Sequence, residues 1–211
     1  MNIDIIGDKS AVSVYFSIIP DTAAIGAILP KEREDEIKSV SNERVKREKY
    51  FAWRLLEYAL SDALGLKLID AKLFKDKNGK WKSELCEFSI SHSASLVAVA
   101  ISHAPVGIDI EPLGTSHPRG FAKKTLTESE LSLFSSLPVS EKDEFLLTRW
   151  CIKEAIYKKE GAGVFSPSKI QTNAKGVTER RIFLGEKEYF CAVCATPGAH
   201  VSFFDNPIIF L

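Results

Sequence analysis

The sequence predicts an α+β chain with a short internal echo between its halves, and three observations carry that reading. Apolar residues recur at helical spacing in two long stretches, 41–64 and 140–159. Short β-like runs follow each of these helices. Finally, Leu96-Val-Ala-Val-Ala100, followed by Pro105, is echoed by Tyr189-Phe-Cys-Ala-Val-Cys194, followed by Pro197. The echo points to an internal duplication with its seam just after Glu111, giving an N-terminal subdomain, 1–111, and a C-terminal subdomain, 112–211. At 211 residues and 45% apolar composition, the chain can fill a real core as one large or two small packed units.

Each element has a local reason. Residues 11–19 alternate as a strand does, and Pro20 ends the run. The charged segment 31–38 leads to Ser41-Asn-Glu, the chemistry of a helix start, after which Val45, Ala52, Leu56, Ala59 and Ala63 share a helical face. Gly65 stands where a C-cap belongs. Asp76-Lys-Asn-Gly-Lys80 reads as a turn, because Asn-Gly readily supplies positive φ. Runs at 87–91, 96–102 and 106–111, joined by short connections, predict a three-stranded antiparallel meander. Thr127-Glu-Ser-Glu130 is a capping box for one helix, and Ser140-Glu-Lys-Asp143 opens a second that passes through Trp150 and stops at Gly161. Strands are expected at 181–184, 189–195 and 201–204.

Lysine plus arginine total 28 and aspartate plus glutamate total 28, so net charge gives no reason to expect nucleic-acid or membrane binding. Met1-Asn-Ile-Asp-Ile-Ile-Gly-Asp carries acid where a secretory signal carries base, and no apolar run is long enough to span a bilayer; a cytoplasmic protein is expected. Cys86, Cys151, Cys191 and Cys194 are few and scattered and read as buried thiols.

Asp109 and Glu111 lie two apart in a strand whose other face is Ile108 and Ile110, which puts two carboxylates side by side about 7 Å apart. Such a pair invites a divalent cation, although an isolated Asp-x-Glu is more often a solvated strand edge. Glu154 and Lys158 are neighbours on one helical stripe, with Trp150 a turn earlier. A surface ion pair is the common explanation; the tryptophan argues for a partly buried one. His92 sits between Ser91 and Ser93, where an imidazole and two hydroxyls can meet phosphate oxygens. Lys46, Arg47 and Arg54 on the first long helix, and Lys80 in the turn, are candidate phosphate clamps or simply solvated charges.

Taken jointly, Phe88-Ser-Ile-Ser-His-Ser93, Gly107-Ile-Asp-Ile-Glu111 and Trp150-Cys-Ile-Lys-Glu-Ala-Ile-Tyr-Lys158 resemble, in order and spacing, the motifs of the 4′-phosphopantetheinyl transferases. The resemblance is to the longer type that activates surfactin synthetase and related assembly lines. Lys46-Arg47-Glu-Lys-Tyr-Phe-Ala-Trp-Arg54 is similar to that family's basic first helix, and Asn78-Gly-Lys80 to its Gly-Lys turn, with Trp81 where the family usually has proline.

The resemblance implies two α/β subdomains in a pseudo-twofold arrangement and a monomeric holo-[acyl-carrier-protein] synthase. That enzyme moves the phosphopantetheine arm of coenzyme A onto a serine of an apo acyl or peptidyl carrier protein, leaving 3′,5′-adenosine bisphosphate. Carried over, Asp109, Glu111 and Glu154 hold Mg²⁺, with Mn²⁺ as an alternative; Glu154 is also the candidate base for the carrier serine, directly or through a metal-bound water, and Lys158 stabilises the transferring phosphoryl group or protonates the leaving group. Ser91, His92, Lys46, Arg47, Arg54 and Lys80 bind coenzyme A. Acidic carriers are expected to meet a basic surface such as Arg119, Lys123 and Lys124. Two rivals share these residues: a coenzyme A or nucleotide binding module without transfer, and a metal-dependent phosphohydrolase.

Overall fold

The computed structural model describes residues 10–20, 24–26, 30–161 and 163–208, apart from the side chains of 205–207. The expectations for the first eight residues lie outside them. Nine strands and five α-helices alternate among the described residues. β1 (Val12–Ile18) is followed by α1 (Lys31–Lys38), α2 (Glu43–Leu64) and a small hairpin of β2 (Leu73–Lys75) and β3 (Trp81–Ser83). β4 (Glu87–Ser93), β5 (Leu96–Ser102) and β6 (Gly107–Pro112) precede three helices, α3 (Phe121–Thr125), α4 (Glu128–Ser136) and α5 (Val139–Glu160). β7 (Val177–Leu184), β8 (Lys187–Cys194) and β9 (Val201–Ile208) complete the chain. Among the described residues no helix is long and apolar enough to cross a membrane.

Local chemistry sets the helix ends. The Asn42 side chain accepts from the Val45 N–H at the start of α2, and Gly65, at φ +63°, ends it in the left-handed conformation. The capping box at Thr127 and Glu130 forms as the sequence predicts. α5 starts one residue before Ser140, at Val139 behind Pro138, and no side chain caps it; its end at Gly161 is as expected. All four cysteines are free and buried.

The expected meander needs correction at its third strand. β4 and β5 pair antiparallel in register, but β5 also pairs with β1, giving a sheet ordered β4-β5-β1-β9. With both edges of β5 occupied there is no place beside it for β6, which instead pairs antiparallel with β8 in a second sheet ordered β6-β8-β7. β9 returns to the first sheet, parallel to β1.

The two sheets face each other. Val12, Val14, Phe16, Leu96, Ala98 and Ala100 from the first pack against Ile108, Ile110, Tyr189, Cys191 and Val193 from the second. The opposite face of the first sheet, with Tyr15, Val97, Val99 and Ile101, carries α2 through Phe51, Leu55, Leu56 and Ala59. The opposite face of the second, with Phe190, Ala192 and Cys194, carries α5 through Leu147, Cys151, Ile152 and Ala155. The result is four layers, helix, sheet, sheet, helix, following the period-2 alternation of each strand.

The strand orders correspond. β1-β5-β4 and β6-β8-β7 are both antiparallel three-strand sets with the last strand in the chain at the centre or next to it, each crossed by a 22-residue helix inserted after its first strand. β5 and β8, the strands that echo each other in sequence, are the two central ones.

Candidate functional site

The site forms where the two sheets expose their edges to one another. β4 is an edge of the first sheet and β6 an edge of the second. The serines of β4 bridge the gap: Ser89 Oγ accepts from the Ile108 N–H (3.1 Å) and Ser91 Oγ from the Ile110 N–H (3.3 Å). Unpaired edge donors are costly when buried, and these hydroxyls satisfy them without extending the sheet. The Ser-x-Ser-x-Ser alternation of β4 is the sequence form of this contact.

Because Ile108 and Ile110 face the layer between the sheets, Gly107, Asp109 and Glu111 face α5. Gly107 lets the helix approach: a Cβ there would lie 2.0 Å from the Ala155 carbonyl oxygen and 2.5 Å from the Lys159 nitrogen. No other side chain fits. At this distance Lys158 Nζ reaches Asp109 Oδ1 at 2.6 Å and Ser91 Oγ at 3.3 Å. Ser91 donates to Asp109 Oδ1 (2.8 Å) and Ser93 to Glu111 Oε2 (2.7 Å). Asp109 is 4% exposed, and its Oδ2 is buried with no hydrogen-bond partner among the described residues. Glu154 lies one helical turn before Lys158 and is half-buried.

Burial raises the Glu154 carboxyl above its ordinary value; Lys158 partly offsets this and Asp109 adds to it. Burial also raises Glu111, with Ser93 opposing and Asp109 reinforcing. For Lys158, burial works against the ammonium, but Asp109 and Glu154 outweigh it and hold the group above the usual lysine value. Among the described residues no three His, Cys, Asp or Glu side chains form a ready-made metal cage. The donor set nevertheless suits Mg²⁺, which takes few protein carboxylates and completes its shell with water and substrate phosphates. The bare Oδ2 of Asp109 is an oxygen available to such an ion.

Beside the carboxylates opens a cavity of about 300 Å³ lined by Lys80, His92 and Lys158 together with Arg33, Lys49, Trp53 and Trp81. Lys80 Nζ donates to the Lys158 carbonyl (2.9 Å), joining the β2–β3 turn to the end of α5. His92 Nδ1 is 3.5 Å from Glu48 Oε2, and burial lowers the imidazole's proton affinity despite that neighbour. The Arg33 guanidinium lies 4.9 Å over the Trp53 ring, which meets Trp81 edge to face at 5.3 Å.

Lys46, Arg47 and Arg54 are not part of this lining. Lys46 pairs with Glu43, and Arg54 with Glu57 (2.6 Å). Arg47 donates to the Pro20 carbonyl and lines a separate cavity of about 480 Å³ with Arg44, Ser95 and Lys187. The cations that do face the site, Arg33 and Lys49, were overlooked in the sequence. Lys49 and Trp53 are four apart on α2, a spacing that marks a shared face, but charge alone does not say which face is turned inward.

Residues 105–203 match the model of the 4′-phosphopantetheinyl transferase superfamily, a stretch that begins just ahead of β6 and contains Asp109, Glu111, Glu154 and Lys158. Over that stretch, a little under half of its length, the chain is similar to that superfamily. Among its relatives are a holo-[acyl-carrier-protein] synthase of Streptococcus sanguinis, 48% identical over 63 residues (28% of this chain, 52% of the relative), and one of Streptococcus mutans, 38% identical over 79 residues (33% and 66%). A 4′-phosphopantetheinyl transferase of Bacillus subtilis is 32% identical over 80 residues, 38% of this chain and 35% of the relative. The matches thus span from about a third to just under two thirds of the length of these relatives.

Proposed function

We propose that the protein transfers the 4′-phosphopantetheine arm of coenzyme A to a serine of an apo acyl or peptidyl carrier protein, as a Mg²⁺-dependent holo-carrier synthase of the longer type. The observation that carries this reading is the meeting of Asp109 and Lys158, with Glu111 and Glu154 beside them, at the rim of a cationic, tryptophan-walled cavity. The superfamily match over the same residues supports it.

In this reading Asp109, Glu111 and Glu154 would hold Mg²⁺. The chemistry supplied by the bound ion is neutralisation of charge on the scissile phosphate. Lys80, His92, Arg33 and Lys49 hold the phosphates of coenzyme A, and Trp81, backed by the buried Trp53, offers a face to its adenine. The phosphate contact expected of Ser91 falls to His92, because the Ser91 hydroxyl is engaged with Asp109, Ile110 and Lys158. Lys46, Arg47 and Arg54, engaged with Glu43, the Pro20 carbonyl and Glu57, are left out of this binding set. Glu154 takes the proton of the carrier serine, directly or through a water molecule, as the serine oxygen attacks phosphorus. The Lys158 ammonium lies against the charge that develops on the transferring phosphoryl group, and 3′,5′-adenosine bisphosphate leaves.

We further propose that the halves are related by a pseudo-twofold axis, that the division expected between 111 and 112 is better drawn within 103–106, ahead of β6, and that the protein works as a cytoplasmic monomer. The matching strand orders and the start of the superfamily match at residue 105 support the division. The direct test is intact-mass measurement of several purified apo carriers incubated with coenzyme A and Mg²⁺. A gain of one phosphopantetheine group on a carrier serine is expected; no gain on any fatty acid, polyketide or peptide carrier rejects the proposal.

A further inference from the structure

Lys153 stands next to Glu154 in the third motif but points away from the site. It is 0% exposed, in contact with neither the carboxylates nor the cavity described above. Its Nζ donates to the Thr125 carbonyl (2.7 Å) and to Glu130 Oε2 (2.5 Å). That carboxylate is itself fully used: Oε2 also accepts from the Thr127 N–H (2.9 Å), and Oε1 from Thr172 Oγ1 (2.8 Å). One ammonium therefore ties α5 to the α3–α4 junction and to the segment that follows α5. Burying an ammonium and a carboxylate is expensive, and apolar residues of the same volume would serve stability as well or better. The arrangement does supply direction, which apolar packing lacks.

Direction matters because α5 carries Glu154 and Lys158 towards β6. The Gly107 contact fixes how closely the helix sits on the strand, and apolar packing through Leu147, Cys151, Ile152 and Ala155 seats its inner face without a directional bond. A rotation of about 15° would carry a side-chain tip through about 1.5 Å, given a helix radius of about 5–6 Å. A displacement near 1 Å at reacting groups costs about 10²-fold in rate. From this geometry we infer that Lys153 is a positioning residue: through Thr125 and Glu130 it sets the rotation of α5 and so aligns Glu154 and Lys158 with Asp109. The kinetic part of the inference rests on the transfer reaction proposed above; the geometric part does not.

Lys153→Met alone strands the buried Glu130 carboxylate and is expected to fold poorly. The paired variant Lys153→Met/Glu130→Gln removes both charges and leaves an acceptor for the Thr127 N–H. It is compared with the wild type by thermal unfolding, by crystal structure and by steady-state kinetics with coenzyme A and an apo carrier. The expected result is a folded protein whose Lys158 Nζ to Asp109 Oδ1 separation exceeds about 4 Å, the limit of an ion pair. Its kcat should fall at least about tenfold while KM for coenzyme A stays within about threefold, the pattern of a lost transition-state alignment. A folded variant that keeps the 2.6 Å pair, or that breaks it with kcat unchanged, overturns the inference. So does failure of the paired variant to fold, which would make the network a requirement of folding and not of alignment. Should the wild type transfer nothing, the proposed function falls, and the Lys158–Asp109 distance in the variant still decides the role of Lys153.

Discussion

At Gly107 the backbones of β6 and α5 come closer than any side chain allows, and the ion pair between Asp109 and Lys158 depends on that approach. Gly107→Ala must push the Ala155 carbonyl away. It is expected to cost about 2–3 kcal/mol, the upper range for overpacking, and to abolish transfer along with it. Urea unfolding checks the first part; wild-type stability would mean that the helix yields freely. Lys49 makes a different prediction. It lines the cavity away from the carboxylates, so Lys49→Ala should raise KM for coenzyme A about tenfold, as one charge-assisted phosphate contact is worth about 1.5 kcal/mol, with kcat nearly unchanged. A drop in kcat with KM constant would place Lys49 in the chemistry instead. At this scale the sequence was informative about the carboxylates, since a period of two puts Asp109 beside Glu111 and a spacing of four puts Glu154 beside Lys158. The cationic wall was less legible. Arg33, Lys49, Arg47 and Arg54 look alike in sequence, and only the packing of α2 decides that Lys49 faces the cavity.

Among the elements, α4 and α5 are locked by a carboxylate with two tasks. Glu130 closes the capping box of α4 and receives the ammonium of Lys153 from α5. Burial alone would raise its carboxyl, but Lys153, the Thr127 N–H and Thr172 together hold it below the ordinary value. A folded-state pKa below the unfolded one means that this contribution is complete above the ordinary carboxylate range and is lost as pH falls through the folded pKa. Glu130→Gln should therefore destabilise the protein by about 3 kcal/mol at neutral pH, as loss of one partner of a buried pair does, with the deficit shrinking in acid. Denaturant unfolding of both proteins between pH 7 and pH 3 measures it; a deficit independent of pH would contradict the assignment. Caps of this kind are local and were readable: Asn42, Gly65, the Thr127 box and Gly161 all stand where the sequence puts them. The partner of β6 was not, because adjacency in the chain favours β5, and only the claim of β1 on the far edge of β5 sends β6 to β8.

The whole molecule is two similar strand-and-helix sets whose sheets share one apolar layer, with β9 added to the first sheet beside β1. Residues 105–203 expressed alone would expose Ile108, Ile110, Tyr189, Cys191 and Val193 to water. That fragment is expected to be unfolded or aggregated by circular dichroism and sedimentation; a stable monomeric fragment would show that the halves are independent. The correspondence of the strand sets β1-β5-β4 and β6-β8-β7 has its sequence counterpart in the echo of their central strands, β5 and β8. The site occupies the line where the edge strands of the two sheets meet, so neither half holds it complete: β4, the β2–β3 turn and α2 supply the cavity, and β6 and α5 the carboxylates and Lys158. The account stands or falls on transfer across that line. Its most direct test pairs intact-mass measurement of an apo carrier with calorimetric binding of coenzyme A, for the wild type and for Glu154→Gln. The account predicts that both proteins bind coenzyme A and that only the wild type adds phosphopantetheine to the carrier serine. Equal binding with no mass gain from either protein on any carrier would contradict it and leave a coenzyme A binding module.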